Sequence, residues 1–251
     1  GYNRVVGSEG GVAETILGRA LQGRREVVVA TKVGMKIGPG QDDEYASAAA
    51  IRRQLDASLR RLARDRIDLY YLHRPDPATP LEETLAALAG AIQAGKIRYY
   101  GVSNYSAGQL AELLAVADRS SLPRPVAHQP PLSFLKPELT TDLLPLCARE
   151  RIAVVPYQVL QGGLLTGKYR RGQPPPADSR KAEKDAWLAT PDDALFDRLD
   201  AFEREARTAN RTPVQHAVHW VLKQPAVVSA IIGVKRLDQL DEAIAAARLP
   251  G

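Results

Sequence analysis

Polar side chains that can bind or orient a ligand follow several short apolar runs of the sequence, at the point where each run ends. Lys32, His73 and the Ser103-Asn104 pair each follow such a run. The runs are rich in β-branched or aromatic residues, which is typical of buried strands. In parallel α/β proteins ligands bind at the carboxyl ends of the strands. We therefore expect an ammonium, an imidazole, a hydroxyl and an amide on one edge of a sheet, where they could hold a polar group and move a proton.

The same pattern continues further along the chain. Gln129, Tyr157 and the Lys235-Arg236 pair stand at the ends of three later apolar runs. Taken singly, each of these residues has an ordinary explanation, such as a solvated lysine, a turn, an aromatic side chain at the edge of a core or a surface charge. Their occurrence at the ends of successive predicted strands favours a binding site instead.

Helical patterns separate the predicted strands. Apolar residues recur at helical spacing from Ile51 to Leu62, and Thr79, Ser106 and Thr212 each precede a Glu or Gln by three residues, which predicts capping boxes. The alternation of six predicted strands with helices indicates a parallel sheet with helical crossovers. A closed (β/α)8 barrel needs eight strands. The pattern is therefore that of an open sheet, or of a barrel that lacks two strands.

Composition limits the classes of function. The chain has 251 residues, of which 45% are hydrophobic and 25% charged, which predicts one globular domain over residues 1–251. No apolar run is long enough to cross a membrane, and the net charge of +5 is scattered, so we expect no membrane and no nucleic acid as partners. The single cysteine, Cys147, lies in an apolar helical pattern and is expected to be buried, which fits a reducing, cytoplasmic location. We expect no metal.

Six motifs together resemble those of the aldo-keto reductases, in the order in which that family has them. They are Glu14-x-x-Leu17-Gly18-Arg19-Ala20-Leu21, Ala30-Thr31-Lys32-Val33-Gly34, Ser58-Leu59-Arg60-Arg61-Leu62 with residues 67–73, Gly95-Lys96-Ile97-Arg98 with residues 101–104, residues 162–169, and Gly233-Val234-Lys235 with Gln239. Each motif alone is weak, but the combination spans residues 14–242 and is specific.

The resemblance implies an NADPH-dependent carbonyl reductase on a (β/α)8 TIM barrel, with about six of the eight strands visible in this chain. It implies an Asp, Tyr, Lys and His group that acts on a small-molecule carbonyl substrate. Lys32 matches the family lysine, His73 the histidine, and Tyr2 the tyrosine. The aspartate and the first two strands would precede Gly1, so we expect an N-terminally incomplete domain.

The resemblance also implies where NADPH/NADP+ binds. Ser103, Asn104 and Gln129 would bind the nicotinamide carboxamide, and Tyr157 would lie against the ring. The remaining implied contacts, to the pyrophosphate and the adenosine end, are Gln161, Gly163, Leu165, Lys168, Gly233, Lys235, Arg236 and Gln239. Lys235 and Arg236 offer two cations to a 2′-phosphate, which favours NADPH over NADH. Ile232 and Ala243 depart from the proline and asparagine that are common in the family.

Two other functions remain open at this point. One is a catalytically weak or inactive NADPH-binding regulatory or interaction subunit on the same scaffold, since the aspartate is not in the chain. The other is an aldolase that forms a Schiff base on Lys32, which leaves Ser103-Asn104 and Lys235-Arg236 without roles. The chain is expected to be a monomer or a homo-oligomer.

Overall fold

The computed structural model of the chain contains two compact units, one that ends at Gln129 and one that begins at Pro130. The residues that the structure describes are 11–35, 45–177, 179–183 and 191–249. Five strands are assigned in these residues, rather than the six that the sequence predicted. Tyr2, the predicted catalytic tyrosine, lies outside the described residues.

The first unit alternates helices with strands, as predicted. Its elements are α1 Val12–Ala20, β1 Ala30–Val33, α2 Ala48–Leu62, β2 Ile67–Leu72, α3 Leu81–Gln93, β3 Ile97–Ser103, α4 Ala107–Arg119 and β4 Ala127–Gln129. Strands β1 to β4 pair in parallel in their sequence order. In this register Lys32 lies opposite Tyr71, and Ser103 lies opposite Gln129. The carboxyl ends of all four strands therefore share one edge of the sheet.

Helix α2 shows why the predicted helical stripe is correct. Ile51, Leu55 and Leu62 are almost completely buried, because residues spaced by three, four and seven positions share one face of a helix. The Ser47 hydroxyl accepts a hydrogen bond from the Ala50 N–H, which satisfies one of the unpaired donors of the first turn. Ala63 ends the helix in the left-handed conformation.

The first strand differs from its prediction. Residues 26–31 were expected to form a strand buried on both faces, with Lys32 at its end, whereas β1 begins at Ala30 and includes Lys32. Val28 is 75% exposed, while Val29 and Val33 are buried. A strand is buried on both faces only where other elements pack against each face. An apolar run in the sequence does not show whether such elements are present. β1 is an edge strand of the sheet of the first unit.

One of the three predicted capping boxes is wrong. Helix α3 has Pro80 at its N-cap position and no side-chain cap bond. The Thr79 hydroxyl donates instead to a carboxylate oxygen of Asp76, 2.8 Å away. Because Pro80 is the N-cap, Thr79 stands one position before it and Glu82 is not at the third helical position, which the spacing of Thr79 and Glu82 alone cannot reveal. The capping boxes at Ser106 and Thr212 are confirmed.

The second unit is mostly helical. Its elements are α5 Leu143–Arg149, β5 Ala153–Val154, α6 Arg180–Glu183, α7 Asp193–Thr208, α8 Pro213–Leu222 and α9 Leu237–Ala247, with 3-10 turns at Glu138–Thr140 and Gln161–Thr166. Helix α7 begins after Asp192, whose carboxylate accepts from the Leu195 N–H. Cys147 is buried and burial raises the pKa of its thiol to about 12, which confirms its expected place in the core.

The sixth predicted strand, residues 227–233, is wrong as a strand. It makes one parallel bridge, between Val227 and Val154, and Val228 beyond it is 67% exposed. The strand that it bridges, β5, is two residues long, and Pro156 shortly after it has no N–H to donate to a ladder. Among the described helices, none is both long and apolar enough to cross a membrane.

Candidate active site

Lys32 and His73 come together at the ends of β1 and β2. The backbone N–H of His73 donates to the carbonyl of Val33, 2.8 Å away, so the histidine continues the pairing of the two strands. Burial lowers the pKa of Lys32. The pKa of His73 falls to about 4, first because the imidazole is partly buried and then because the positive charge of Lys32 disfavours a second cation. At neutral pH the imidazole is therefore uncharged and able to donate one hydrogen bond.

Tyr71 lies beneath this pair and was not singled out from the sequence. Its side chain is 2% exposed, and the Lys32 ammonium is 5.9 Å from the centre of its ring. The Gln129 side chain hydrogen-bonds the Tyr71 hydroxyl, although burial keeps the pKa of the phenol above its usual value. Alternate residues of a strand share a face, so the spacing of Tyr71 and His73 was the signal that could have identified it.

A chain of hydrogen bonds joins the ends of β2, β3 and β4. The Ser103 hydroxyl donates to the Gln129 carbonyl at 2.6 Å. The Asn104 amide donates to the His73 carbonyl at 2.8 Å and to the Ser103 hydroxyl at 3.1 Å. The structure therefore brings five predicted site residues, Lys32, His73, Ser103, Asn104 and Gln129, to one edge of the first unit.

His128 supports the same loop from within the core and was also missed. It is fully buried, and its Nε2 lies 3.1 Å from the carbonyl of Tyr105. A carbonyl can only accept, so Nε2 carries the proton. Burial lowers the pKa of His128 to about 4, which keeps the ring neutral. Little in the sequence indicated this role, because a histidine next to an apolar run is usually an ordinary core residue.

In the second unit, the predicted residues around Gln161 lie in a glycine-rich turn. Gly163 has a φ of +100°, and a Cβ there would lie 3.1 Å from Cε of Lys168, so the lysine stem occupies the space of a side chain. The Gln161 amide donates to the Ser133 hydroxyl, and Leu165 is fully buried. Tyr157 exchanges backbone hydrogen bonds with Pro130 and Leu132.

The last predicted group surrounds the N-terminus of α9. The Lys235 N–H donates to the Gln239 side chain at 2.8 Å, which holds the start of the helix. Arg236 forms a two-pronged bond with the carboxylate of Asp238, at 3.0 Å for each contact. A bound anion would compete with Asp238 for this guanidinium. Gly233 lies just before this group and is exposed.

The polar side chains of each unit have the chemistry to bind one part of a nicotinamide dinucleotide. Ser103, Asn104 and Gln129 present the hydroxyl and amide groups that complement a carboxamide. Lys168, Lys235 and Arg236 are cations suited to phosphate, and the last two stand at a helix N-terminus, where backbone N–H groups favour anions.

Comparisons with known proteins agree with this chemistry. The family model of the aldo/keto reductase family matches residues 9–250. The chain is 36% identical to a probable voltage-gated potassium channel subunit beta of Arabidopsis thaliana, over 92% of this chain and 73% of the relative. It is 31% identical to the L-glyceraldehyde 3-phosphate reductase of Escherichia coli K12, over 94% and 70%. It is 32% identical to the aldo-keto reductase YhdN of Bacillus subtilis, over 92% and 69%. The chain therefore belongs to the aldo/keto reductase family, a family of (β/α)8 barrel oxidoreductases that reduce carbonyl groups with a nicotinamide cofactor.

Proposed function

We propose that this chain reduces aldehydes or ketones to alcohols with NADPH, using Lys32, His73 and Tyr2 at the carbonyl group. The observation that carries the proposal is the pairing, at the ends of β1 and β2, of a partly buried ammonium with an imidazole held neutral. A single barrel domain over residues 1–251 and a cytoplasmic location belong to the same proposal.

Each residue has a distinct task in this proposal. The reduced nicotinamide, when bound, supplies a hydride to the carbonyl carbon. The neutral His73 donates a hydrogen bond to the carbonyl oxygen, which orients it and stabilises the developing negative charge. Tyr2 gives the proton. A free tyrosine has a pKa of about 10, and Lys32 lowers that value by stabilising the tyrosinate.

The cofactor contacts follow the resemblance. Ser103, Asn104 and Gln129 would bind the carboxamide, and Tyr157 the ring. The residues proposed for the phosphates and the adenosine end are Gln161, Gly163, Leu165, Lys168, Gly233, Lys235, Arg236 and Gln239. Selection of NADPH over NADH rests on Lys235 and Arg236.

Steady-state kinetics test the function directly. The protein should oxidise NADPH in the presence of an electron-poor aldehyde such as 4-nitrobenzaldehyde, with a kcat/KM at least about 10-fold higher than with NADH, a difference of about 1.4 kcal/mol. His73→Ala should lower kcat by about 100-fold or more, while the Kd for NADPH changes little. Absence of aldehyde-dependent NADPH oxidation, or equal losses in kcat and NADPH binding, would contradict the assignment.

A regulatory or interaction subunit on the same scaffold is the second candidate. Similarity to the Arabidopsis thaliana relative, a probable voltage-gated potassium channel subunit beta, favours it. It predicts tight NADPH binding by the intact protein without turnover of any aldehyde, together with a stable protein partner. The same kinetic and binding measurements therefore separate the two functions.

A further inference from the structure

Arg74 follows His73 directly and lies across the ends of β1 and β2. One guanidinium nitrogen donates to the sulfur of Met35 at 2.9 Å, and the guanidinium carbon is 5.2 Å from the centre of the Tyr45 ring. Both contacts come from the segment that follows β1, the strand that carries Lys32. Stacking on an aromatic ring restricts a guanidinium while leaving its N–H groups available in the plane. Arg74 is nevertheless exposed to solvent.

The charge of Arg74 is not balanced by a carboxylate in the described part of the chain. Arginines elsewhere in the first unit form ion pairs, as Arg61 does with Glu14. Arg74 contacts a thioether and an aromatic ring instead, and among the described residues the Lys32 ammonium lies over the Tyr71 ring. The positive charges of Lys32 and Arg74 both act on His73, since each of them lowers the pKa of its imidazole.

Asp76, the carboxylate nearest to Arg74 in sequence, is occupied by other donors. One of its oxygens accepts from the Ala46 N–H at 2.9 Å and from the Thr79 hydroxyl at 2.8 Å. The other accepts from the Ala78 N–H at 3.1 Å. These bonds hold the carboxylate on the loop between β2 and α3. The edge of the first unit around His73 therefore carries two cationic side chains, Lys32 and Arg74, beside the Asp76 carboxylate.

We propose that Arg74 determines specificity by binding an anionic group, a carboxylate or a phosphate, on the carbonyl substrate. The proposal deepens the proposed function and rests on it. A planar guanidinium binds both kinds of anion through two parallel hydrogen bonds. Because Arg74 follows His73 at the same strand edge, one substrate would bind His73 through its carbonyl oxygen and Arg74 through its anionic group.

Matched substrate pairs test the proposal. kcat/KM is measured at saturating NADPH for 4-carboxybenzaldehyde against 4-nitrobenzaldehyde, and for glyceraldehyde 3-phosphate against glyceraldehyde. Arg74→Met should lower the ratio of anionic to neutral substrate by about 10-fold or more, mainly through KM, in at least one pair. The pair that responds more strongly identifies carboxylate or phosphate as the preferred group. Added salt should lower the ratio in the wild type more than in the variant.

Arg98→Met is the matched control. Arg98 is also exposed and stacked on an aromatic ring, 5.3 Å from the centre of Tyr99, but it lies near the start of β3. Arg98→Met changes the net charge by the same amount as Arg74→Met and should leave both substrate ratios unchanged. Equal ratios in the wild type and Arg74→Met, or equal effects of the two variants, would overturn the proposal.

A binding measurement separates this proposal from the proposed function. Calorimetry with 4-carboxybenzyl alcohol, in the presence of NADP+, requires no turnover. Binding that Arg74→Met weakens by about 10-fold supports the anion site even if no aldehyde is reduced. Binding that is absent both for this alcohol and for glycerol 3-phosphate, or that Arg74→Met leaves unchanged for both, rejects the anion site even if neutral aldehydes are reduced.

Discussion

Asn104 donates its amide to the His73 carbonyl and to the Ser103 hydroxyl, and Ser103 donates in turn to the Gln129 carbonyl. Asn104 also has a φ of +63°, a left-handed conformation that asparagine and glycine adopt more readily than other residues. Side chain and backbone therefore act together to fix the end of β2. A residue assigned only to the cofactor carboxamide would not need the bond to His73. We infer that Asn104 also positions the histidine.

Asn104→Gly should lower kcat by about 10-fold at saturating NADPH, because glycine keeps the left-handed backbone but loses the bond to the His73 carbonyl. The measurement is a double-mutant cycle with His73→Ala. In the His73→Ala background the same substitution should cost less than about 3-fold in kcat, since there is no imidazole left to position. Additive losses would instead indicate that Asn104 acts through the cofactor alone.

At the scale of the elements, β3 depends on Gly101. A Cβ at this position would lie 2.7 Å from the Ala127 carbonyl oxygen and 2.7 Å from Cε1 of Tyr71. The ring of Tyr71 thus lies against a strand that has no side chain at that point. Because Lys32 in turn lies over this ring, the close approach at Gly101 sets the height of the lysine above the sheet.

Gly101→Ala should lower the free energy of unfolding by about 2 kcal/mol or more, since the backbone of β4 and the Tyr71 ring cannot both move away cheaply. Gly90→Ala is the matched control. Gly90 lies in helix α3 with no atom within 4 Å of an added Cβ, so alanine should stabilise the protein by up to about 1 kcal/mol. Urea unfolding measures both, and a Gly101→Ala variant as stable as Gly90→Ala would show that the packing around Tyr71 is loose.

Local patterns were predictable in this chain, and features that depend on distant partners were not. The capping boxes at Ser106 and Thr212 need only residues three positions apart, and both are confirmed. The strand at residues 227–233 needed a partner longer than the two residues of β5, which the apolar run could not report. The prediction at Thr79 failed because the helix is capped one residue later, at Pro80.

For the whole molecule, polar residues at the ends of apolar runs were sufficient to find most of the candidate site. Lys32, His73, Ser103, Asn104 and Gln129 lie together on the edge where parallel strands were expected to end. Of the supporting residues, Tyr71 lies inside an apolar run, and His128 lies at the end of one, directly before Gln129. Their roles depend on cross-strand register and on the loop after β3, so composition made them look like ordinary core residues.

The histidines give the molecule a common response to acid. All four, His73, His128, His216 and His219, have pKa values below the ordinary value of 6.5, in each case chiefly because burial disfavours the charged ring. The unfolded chain therefore binds more protons than the folded one between about pH 6.5 and the folded pKa values, which are about 4 for His73 and His128. The free energy of unfolding should be highest above about pH 6.5, and it should fall as the pH is lowered from there towards about 4.

His128 allows the effect to be measured at one site, because it is fully buried and has one bond, to the Tyr105 carbonyl. Lowering the pH from about 7.5 to about 5 should cost about 2 kcal/mol at this residue alone. His128→Gln retains a side-chain N–H that can reach Tyr105 but does not titrate. Its free energy of urea unfolding should therefore fall by about 2 kcal/mol less than that of the wild type over the same interval. The same pH dependence in both proteins would show that His128 is protonated without cost, and that the loop carrying Asn104 does not depend on a neutral ring beneath it.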